Sequence, residues 1–344
     1  MQTSILIIYT GGTIGMKQDP ASGLLKPFDF NQILSEVPEL AKFGCHLDTY
    51  SFQPLIDSSD VRPEFWIHLA HFIRDRYDDY DGFVILHGTD TMAYSASMLS
   101  FMLEGLTKCV VLTGSQLPIG MLRTDGRENF ISAIEIASAR DAEGHSLVPE
   151  VCIYFENKLM RGNRTTKFHA DNFAAFSSPN YPPLAEVGIH IRYNEAAIRR
   201  PADWSRKLRL HDRLDANVGL LKIFPGMTEQ YVKSVLHTEG LRAVVLETFG
   251  AGNAPALPWF LDAIGECTAS GIPVVNVTQC RAGSVNMGTY ANGAVLDACH
   301  VISGGDMMTE AALTKLFVLL GESSDPEVIA EKFGESFCGE ISLK

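Results

Sequence analysis

Positive charge is scarce in this sequence. Lys and Arg number 28 against 41 Asp and Glu, which leaves the 344 residues at a net −13. A chain that acidic repels a phosphate backbone, so nucleic acid is excluded as its main partner unless a basic patch exists. None does: the most basic stretch, from Arg199 to Arg213, is interleaved with Asp203 and Asp212. Long apolar runs are missing as well. The block Ile5-Leu6-Ile7-Ile8 is too short for a signal peptide, and nothing is long enough to span a bilayer. Paired cysteines are absent: Cys45, Cys109, Cys152, Cys267, Cys280, Cys299 and Cys338 are odd in number and contain no CxxC. That argues for reduced thiols rather than a disulfide framework or a zinc site. There is no HExxH for a metal and no GxSxG for an α/β-hydrolase. The expectation is a soluble cytoplasmic protein with no membrane contact and no metal.

What is present is hydrophobic periodicity. With 46% hydrophobic residues the chain can bury a large core. Continuous apolar runs at Ile5–Tyr9, Phe83–Leu86, Val110–Thr113 and Val151–Phe155 read as strands buried on both faces. Between them lie helical stripes: Phe65, Leu69, Phe72 and Ile73; then Met92, Ala96, Leu99 and Leu103; then a helix opening at Asp125 with Glu128 and continuing through Phe130, Ile134 and Ala137. The periodicity fades between Tyr193 and Ala216 and then restarts. Strands at Val218–Ile223, Ala243–Glu247 and Pro273–Thr278 alternate with helices at Thr228–Leu236 and Trp259–Cys267, and a late helix includes Leu313–Leu320. The expected fold class is α/β with two α/β domains. A larger N-terminal domain (1–193) has a mostly parallel sheet flanked by helices. A linker (194–215) leads to a smaller C-terminal parallel-sheet domain (216–344).

Ligands of open parallel sheets sit beyond the carboxyl ends of the strands, and the polar motifs fall there. Thr10-Gly11-Gly12-Thr13-Ile14-Gly15 follows the first strand. It has neither the Gly-Lys-Ser/Thr ending of a phosphate loop nor dinucleotide spacing, but its glycines let the backbone pass close to a ligand and leave the Thr13 hydroxyl exposed. His87-Gly88-Thr89-Asp90-Thr91 follows another strand. Capping by Thr89 or Asp90 would explain one polar residue there, not all of them. His87 reads as structural at least as readily as catalytic. A threonine hydroxyl is a poor nucleophile until a base takes its proton, and a partly buried lysine can be that base. Thr89 beside Lys167, with Asp90 nearby, would make such a set. Asp57-Ser58-Ser59-Asp60 offers carboxylates and hydroxyls able to hold an ammonium and a carboxylate.

These motifs in order, Thr-Gly-Gly-Thr-Ile-Gly, His-Gly-Thr-Asp-Thr-Met-Ala, Thr-Gly-Ser-Gln and Arg-Gly-Asn-Arg-Thr-Thr-Lys, resemble the bacterial-type L-asparaginases. Asp57-Ser58-Ser59-Asp60 and the lack of a signal peptide resemble their cytoplasmic type I branch. The resemblance continues through Gly252-Asn253-Ala254-Pro255, Thr278-Gln279-Cys280 and Val285-Asn286-Met287-Gly288. It implies hydrolysis of L-asparagine to L-aspartate and ammonia without a cofactor, by a homodimer or homotetramer, with a minor glutaminase activity. Thr13 matches the family's nucleophile, and Thr89, Asp90 and Lys167 its second catalytic set. Asp57, Ser58, Ser59, Thr89 and Asp90 match substrate-binding positions. The tyrosine that many members carry on the loop after the first motif is missing from Ser22-Gly23-Leu24-Leu25-Lys26-Pro27, and Tyr290 is the candidate to replace it. Thr166, Thr278 and Cys280 match an allosteric asparagine site of some type I members, where Glu247 stands in place of a basic residue. The alternative is a catalytically inactive amino-acid-binding or regulatory module of the same fold.

Overall fold

The structure is a computed structural model that describes residues 2–18, 23, 25–27, 37–288 and 291–342. It divides into two units, Met1–Leu210 and His211–Lys344.

The first unit is built on an eight-stranded sheet. Its strands are β1 (Ser4–Tyr9), β2 (His46–Ser51), β3 (Gly82–Leu86), β4 (Cys109–Thr113), β5 (Val151–Phe155), β6 (Lys158–Arg161), β7 (Ala185–Val187) and β8 (Ile191–Tyr193). Their order across the sheet is β8-β7-β6-β5-β4-β3-β1-β2. The five strands from β2 to β5 run parallel. Strands β6, β7 and β8 extend that sheet in antiparallel fashion. The apolar runs are buried on both faces as expected: Phe83 to Leu86 and Val110 to Leu112 are fully inaccessible. Helices α1 (Pro63–Asp75), α2 (Met92–Met102) and α3 (Gly126–Ser138) supply the cover.

Two local features differ from a simple strand-helix alternation. The stripe of α2 ends at Met102, and Leu103–Glu104 pairs antiparallel with Arg209–Leu210 instead. Gly105, with φ +85°, turns the chain out of the helix there. Helix α2 is also buried nearly all round, Ser95, Ser97 and Ser100 included. The Ser97 hydroxyl donates to Gly162 O and that of Ser100 to Ala96 O, so these polar positions are satisfied inside the core. Glu156 and Asn157, at φ +42° and +65°, form the two-residue turn between β5 and β6. From that turn β6 runs back along β5, so Arg161 pairs with Cys152 at the amino end of β5. Arg161 is buried there because Glu150 takes its Nε and Nη2 at 2.6 and 3.2 Å.

The second unit holds a four-stranded parallel sheet, β9 (Val218–Lys222), β10 (Ala243–Thr248), β11 (Val274–Thr278) and β12 (Ile302–Ser303), in that order. Its helices are α4 (Glu229–Leu236), α5 (Pro258–Ala269), α6 (Ala291–Ala298), α7 (Thr309–Glu322) and α8 (Pro326–Gly334). One core packs around Leu246, Phe260, Ile264 and Leu296, the other around Val245, Val277, Leu316 and Phe333. Thr228 caps α4, its hydroxyl accepting from the Tyr231 amide.

Candidate functional site

Strands β1, β3 and β4 are consecutive in the sheet, so the loops that leave their carboxyl ends meet. The first contact is backbone on backbone. Gly12, at φ +93°, lies so close to the second motif that a Cβ would sit 2.6 Å from the Gly88 backbone. A Cβ on Gly11 would reach Ile56 O at 2.1 Å. Only glycine fits either position, and the result places Thr13, at the start of a short 3-10 turn, beside the Gly88-Thr89 loop. The Thr10 amide and hydroxyl both bond Leu86 O, and the Ile56 amide bonds Thr10 O, which ties the three segments together.

Lys167 closes the constellation. Its Nζ donates to Thr89 Oγ1 at 2.9 Å and to Asp90 Oδ1 at 2.6 Å, across 78 and 77 residues of chain. The Lys167 side chain is four-fifths shielded, whereas that of Asp90 is largely open to solvent. The Arg161–Thr165 stretch that carries Lys167 into place is buried, so the lysine extends from a fixed base. A lysine, a hydroxyl and a carboxylate in mutual hydrogen-bond reach can move a proton to or from a reacting group.

The Asp57–Asp60 turn abuts the same loop. Asp57 Oδ1 accepts from the amide and the hydroxyl of Ser59, both at 2.9 Å, and these bonds hold its carboxyl below the usual carboxylate range. Ser58 is buried, and its hydroxyl accepts from the Asp90 amide at 3.3 Å. Its carbonyl accepts from Thr91 Oγ1 at 2.6 Å. Asp57 and Ser59 thus face outward while Ser58 joins the turn to the Thr89-Asp90 loop.

His87 faces the core. Burial pushes its imidazole down to about 4. The neutral ring donates from Nδ1 to Gly88 O at 2.7 Å and accepts at Nε2 from the Ser95 hydroxyl at 3.0 Å. Ser95 in turn accepts from Trp66 Nε1 at 2.8 Å. The histidine braces the motif from beneath.

Two residues of the site escape simple sequence reading. Asp125 stands just before α3, yet it makes no capping bond, because it already has helical φ and ψ. Thr124 Oγ1 takes the Gly126 amide instead. The Asp125 carboxylate reaches back to the amides of Gln116 and Leu117 and so shapes the Gly114-Ser115-Gln116 turn. Gln116 Oε1 then accepts from Thr89 Oγ1 at 3.4 Å. The presence of Gln116 in the Thr-Gly-Ser-Gln motif was the available signal.

The remaining positions lie elsewhere. Thr166 pairs with Ser177 in the first unit. Glu247, Thr278 and Cys280 gather at the carboxyl end of the sheet in the second unit, where Glu247 is opposite Val277 and Thr248 opposite Thr278. There Glu247 accepts from Thr309 Oγ1 at 2.6 Å and pairs with Lys222 at 3.1 Å. Thr278 Oγ1 donates to Gly250 O and accepts from the Cys280 amide. Tyr290 lies outside the described residues. So do residues 19–22 and 24 of the loop from Met16 to Pro27, whose ends pair antiparallel as Met16–Gln18 with Leu25–Pro27. Among the described residues, Asp141, Glu143 and His145 are the one group of three metal-type ligands brought together, in the turn between α3 and β5. That turn is at the amino end of β5, not at the rim that carries Lys167.

Residues 4–199 match the family model described as "Asparaginase, N-terminal", and residues 217–333 match "Glutaminase/Asparaginase C-terminal domain". The chain is 45% identical to L-asparaginase 1 of Escherichia coli K12 over 345 residues, covering 98% of each chain. It is 42% identical to the human 60 kDa lysophospholipase over 92% of this chain and 58% of that one. The crystal structure of L-asparaginase I from Vibrio cholerae superposes with a TM-score of 0.90 at 41% identity over the full length of both chains. No described helix is long and apolar enough to cross a membrane. With both family models matched in order along its length, the chain belongs to the asparaginase family.

Proposed function

We propose that this protein hydrolyses L-asparagine to L-aspartate and ammonia by way of a threonine ester. The observation that carries the reading is the reach of Lys167 Nζ to both Thr89 Oγ1 and Asp90 Oδ1. The family membership supplies the amide-hydrolysing class. The substrate's ammonium is met by the carboxylates of Asp57 and Asp90, and its α-carboxylate by the hydroxyls of Ser59 and Ser58. Thr13 Oγ attacks the side-chain amide carbon. Amide groups near Thr89 and in the Gly114-Ser115 turn hold the oxyanion. The C–N bond breaks, ammonia leaves with the proton taken from Thr13, and a β-aspartyl ester remains. Water, oriented by Thr89 and relieved of a proton through the Lys167–Asp90 pair, hydrolyses that ester and restores the Thr13 hydroxyl. Tyr290 is the candidate to assist Thr13 in place of the family's loop tyrosine, and the loop from Met16 to Pro27 closes over substrate.

Glutamine is longer by one methylene, which a pocket rejects by roughly 1–3 kcal/mol, so a minor glutaminase activity accompanies the main one. The working form is a cytoplasmic homodimer or homotetramer. Because Glu247 is already held by Lys222 and Thr309, cooperative activation at the Thr166, Thr278 and Cys280 positions is not expected, and kinetics in asparagine are hyperbolic. Ammonia release from L-asparagine and L-glutamine over a wide concentration range tests the whole reading. Fast release from asparagine with little from glutamine supports it. No release by folded protein favours the inactive binding module.

A further inference from the structure

Gln116 is half-buried one residue beyond the Gly114-Ser115 turn, and its side-chain amide is pinned from one side. Nε2 donates to the carbonyl oxygens of Ala170 and Asn172, both at 3.1 Å. Two carbonyls can be met only by the NH2 end of an amide, so the amide oxygen must face the other way. It does, and accepts from Thr89 Oγ1. The backbone of Gln116 is pinned too. Its amide donates to both oxygens of Asp125, at 2.9 and 3.1 Å. Asn129 Nδ2 holds Gly114 O at 3.0 Å, while its Oδ1 accepts from the Glu156 amide.

The Thr89 hydroxyl has one hydrogen and two lone pairs. Lys167 Nζ donates to it and occupies one lone pair. Its hydrogen goes to Gln116. One lone pair is left. A neutral amide oxygen is no base, so a hydroxyl that donates to it is held as a hydroxyl rather than activated as a nucleophile. We propose that Gln116 is a positioning residue that fixes the Thr89 hydroxyl as a hydrogen-bond acceptor, presenting its remaining lone pair to the attacking water or to the substrate amide. Thr89 then orients, and Thr13 is left as the nucleophile. The inference rests on the amide-hydrolase reading above.

A double-mutant cycle tests it. Gln116→Met keeps the length of the side chain and removes both polar ends. In the wild-type background it lowers kcat for asparagine at least tenfold and leaves KM within about threefold. In a Thr89→Val background, where no hydroxyl remains to be oriented, the same change alters kcat by less than about twofold. The slow rates are read as ammonia released over hours at high enzyme concentration. Equal losses in both backgrounds, or a rise in KM with kcat unchanged, overturn the proposal. Gln116→Glu guards against a folding failure of the methionine variant. It keeps an oxygen toward Thr89, but without a proton it cannot donate to Ala170 or Asn172. Its kcat relative to wild type therefore climbs as pH falls toward the carboxyl range, and a profile parallel to wild type overturns the proposal. Absence of ammonia release by the wild-type protein overturns the hydrolytic reading and this one with it. A normal wild-type rate with additive losses overturns this one alone.

Discussion

Both units hold a run of parallel strands, and they use the carboxyl ends of those strands differently. In the first, polar groups at that edge converge from distant parts of the sequence, and Lys167, Asp90 and Thr89 meet with the Asp90 side chain open to solvent. In the second, the polar groups at the edge are engaged with one another: Glu247 with Lys222 and Thr309, Thr248 with Asn276, Thr278 with Gly250. The deepest polar pair of the second unit is structural. Lys315 and Glu340, both inaccessible, are 2.6 Å apart, and Lys315 Nζ also donates to Phe333 O at 2.9 Å and to Glu335 O. Glu340 accepts from the amides of Phe337 and Cys338, which fastens the end of the chain to α7. One fold class thus builds a reactive edge where polar groups stay open, and a scaffold where they are closed off.

The largest effect expected is on that scaffold. Lys315→Met leaves Glu340 as an uncompensated buried charge and costs about 3–5 kcal/mol of stability. Denaturant unfolding reads it, and a loss below about 1 kcal/mol would mean that the pair is not closed off. The first unit answers through chemistry. Thr13→Ala and Lys167→Met each lower turnover by about 100-fold or more, with melting temperatures close to wild type. Near-native turnover in either variant would remove that residue from the reaction.

His87 links stability to pH beneath the reactive edge. Its folded value is about 4, below the ordinary 6.5, so the unfolded chain binds the extra proton between those values. The histidine's contribution is therefore complete above pH 6.5 and is lost as pH falls toward 4, by about 3 kcal/mol at about 1.4 per unit. Urea melts at pH 7 and pH 4.5 should differ less for His87→Gln than for wild type. An unchanged slope would assign the pH dependence to other groups. The smallest effect sharpens the contrast within the second unit. The Lys233–Glu229 pair, at 2.8 Å, is also an ion pair, but both partners are well exposed. Glu229→Gln is expected to leave the urea midpoint unchanged within measurement, and a clear drop would show that even this exposed pair matters.

Much of this architecture is legible in the sequence, because buried parallel strands are continuous apolar runs and their helices carry clear stripes. Ile5–Tyr9, Val151–Phe155 and Ala243–Glu247 all fall inside observed strands. The antiparallel extension β6 to β8 is not legible. Lys158–Arg161 carries two charges, and its burial depends on Glu150, a partner that no local pattern names. The same holds at the site. The Thr-Gly-Gly-Thr and His-Gly-Thr-Asp loops announce themselves as small polar turns after strands. The work of Asp125 does not: Asp followed by Glu three residues later reads as a helix start, and α3 does begin at Gly126, but the carboxylate bonds the Gln116 and Leu117 amides instead of capping it. Local capping and long-range bracing use the same residue types, and only the three-dimensional path decides between them.

Lys167 joins Thr89 and Asp90 into one proton-moving set. Steady-state ammonia release from L-asparagine by Lys167→Met, beside wild type and with a thermal melt of both, measures its part. A fall in kcat of about 100-fold or more is expected, in a protein that melts like wild type. Turnover within a few-fold of wild type would contradict it, and would leave the contacts of Lys167 with Thr89 and Asp90 as a structural clamp.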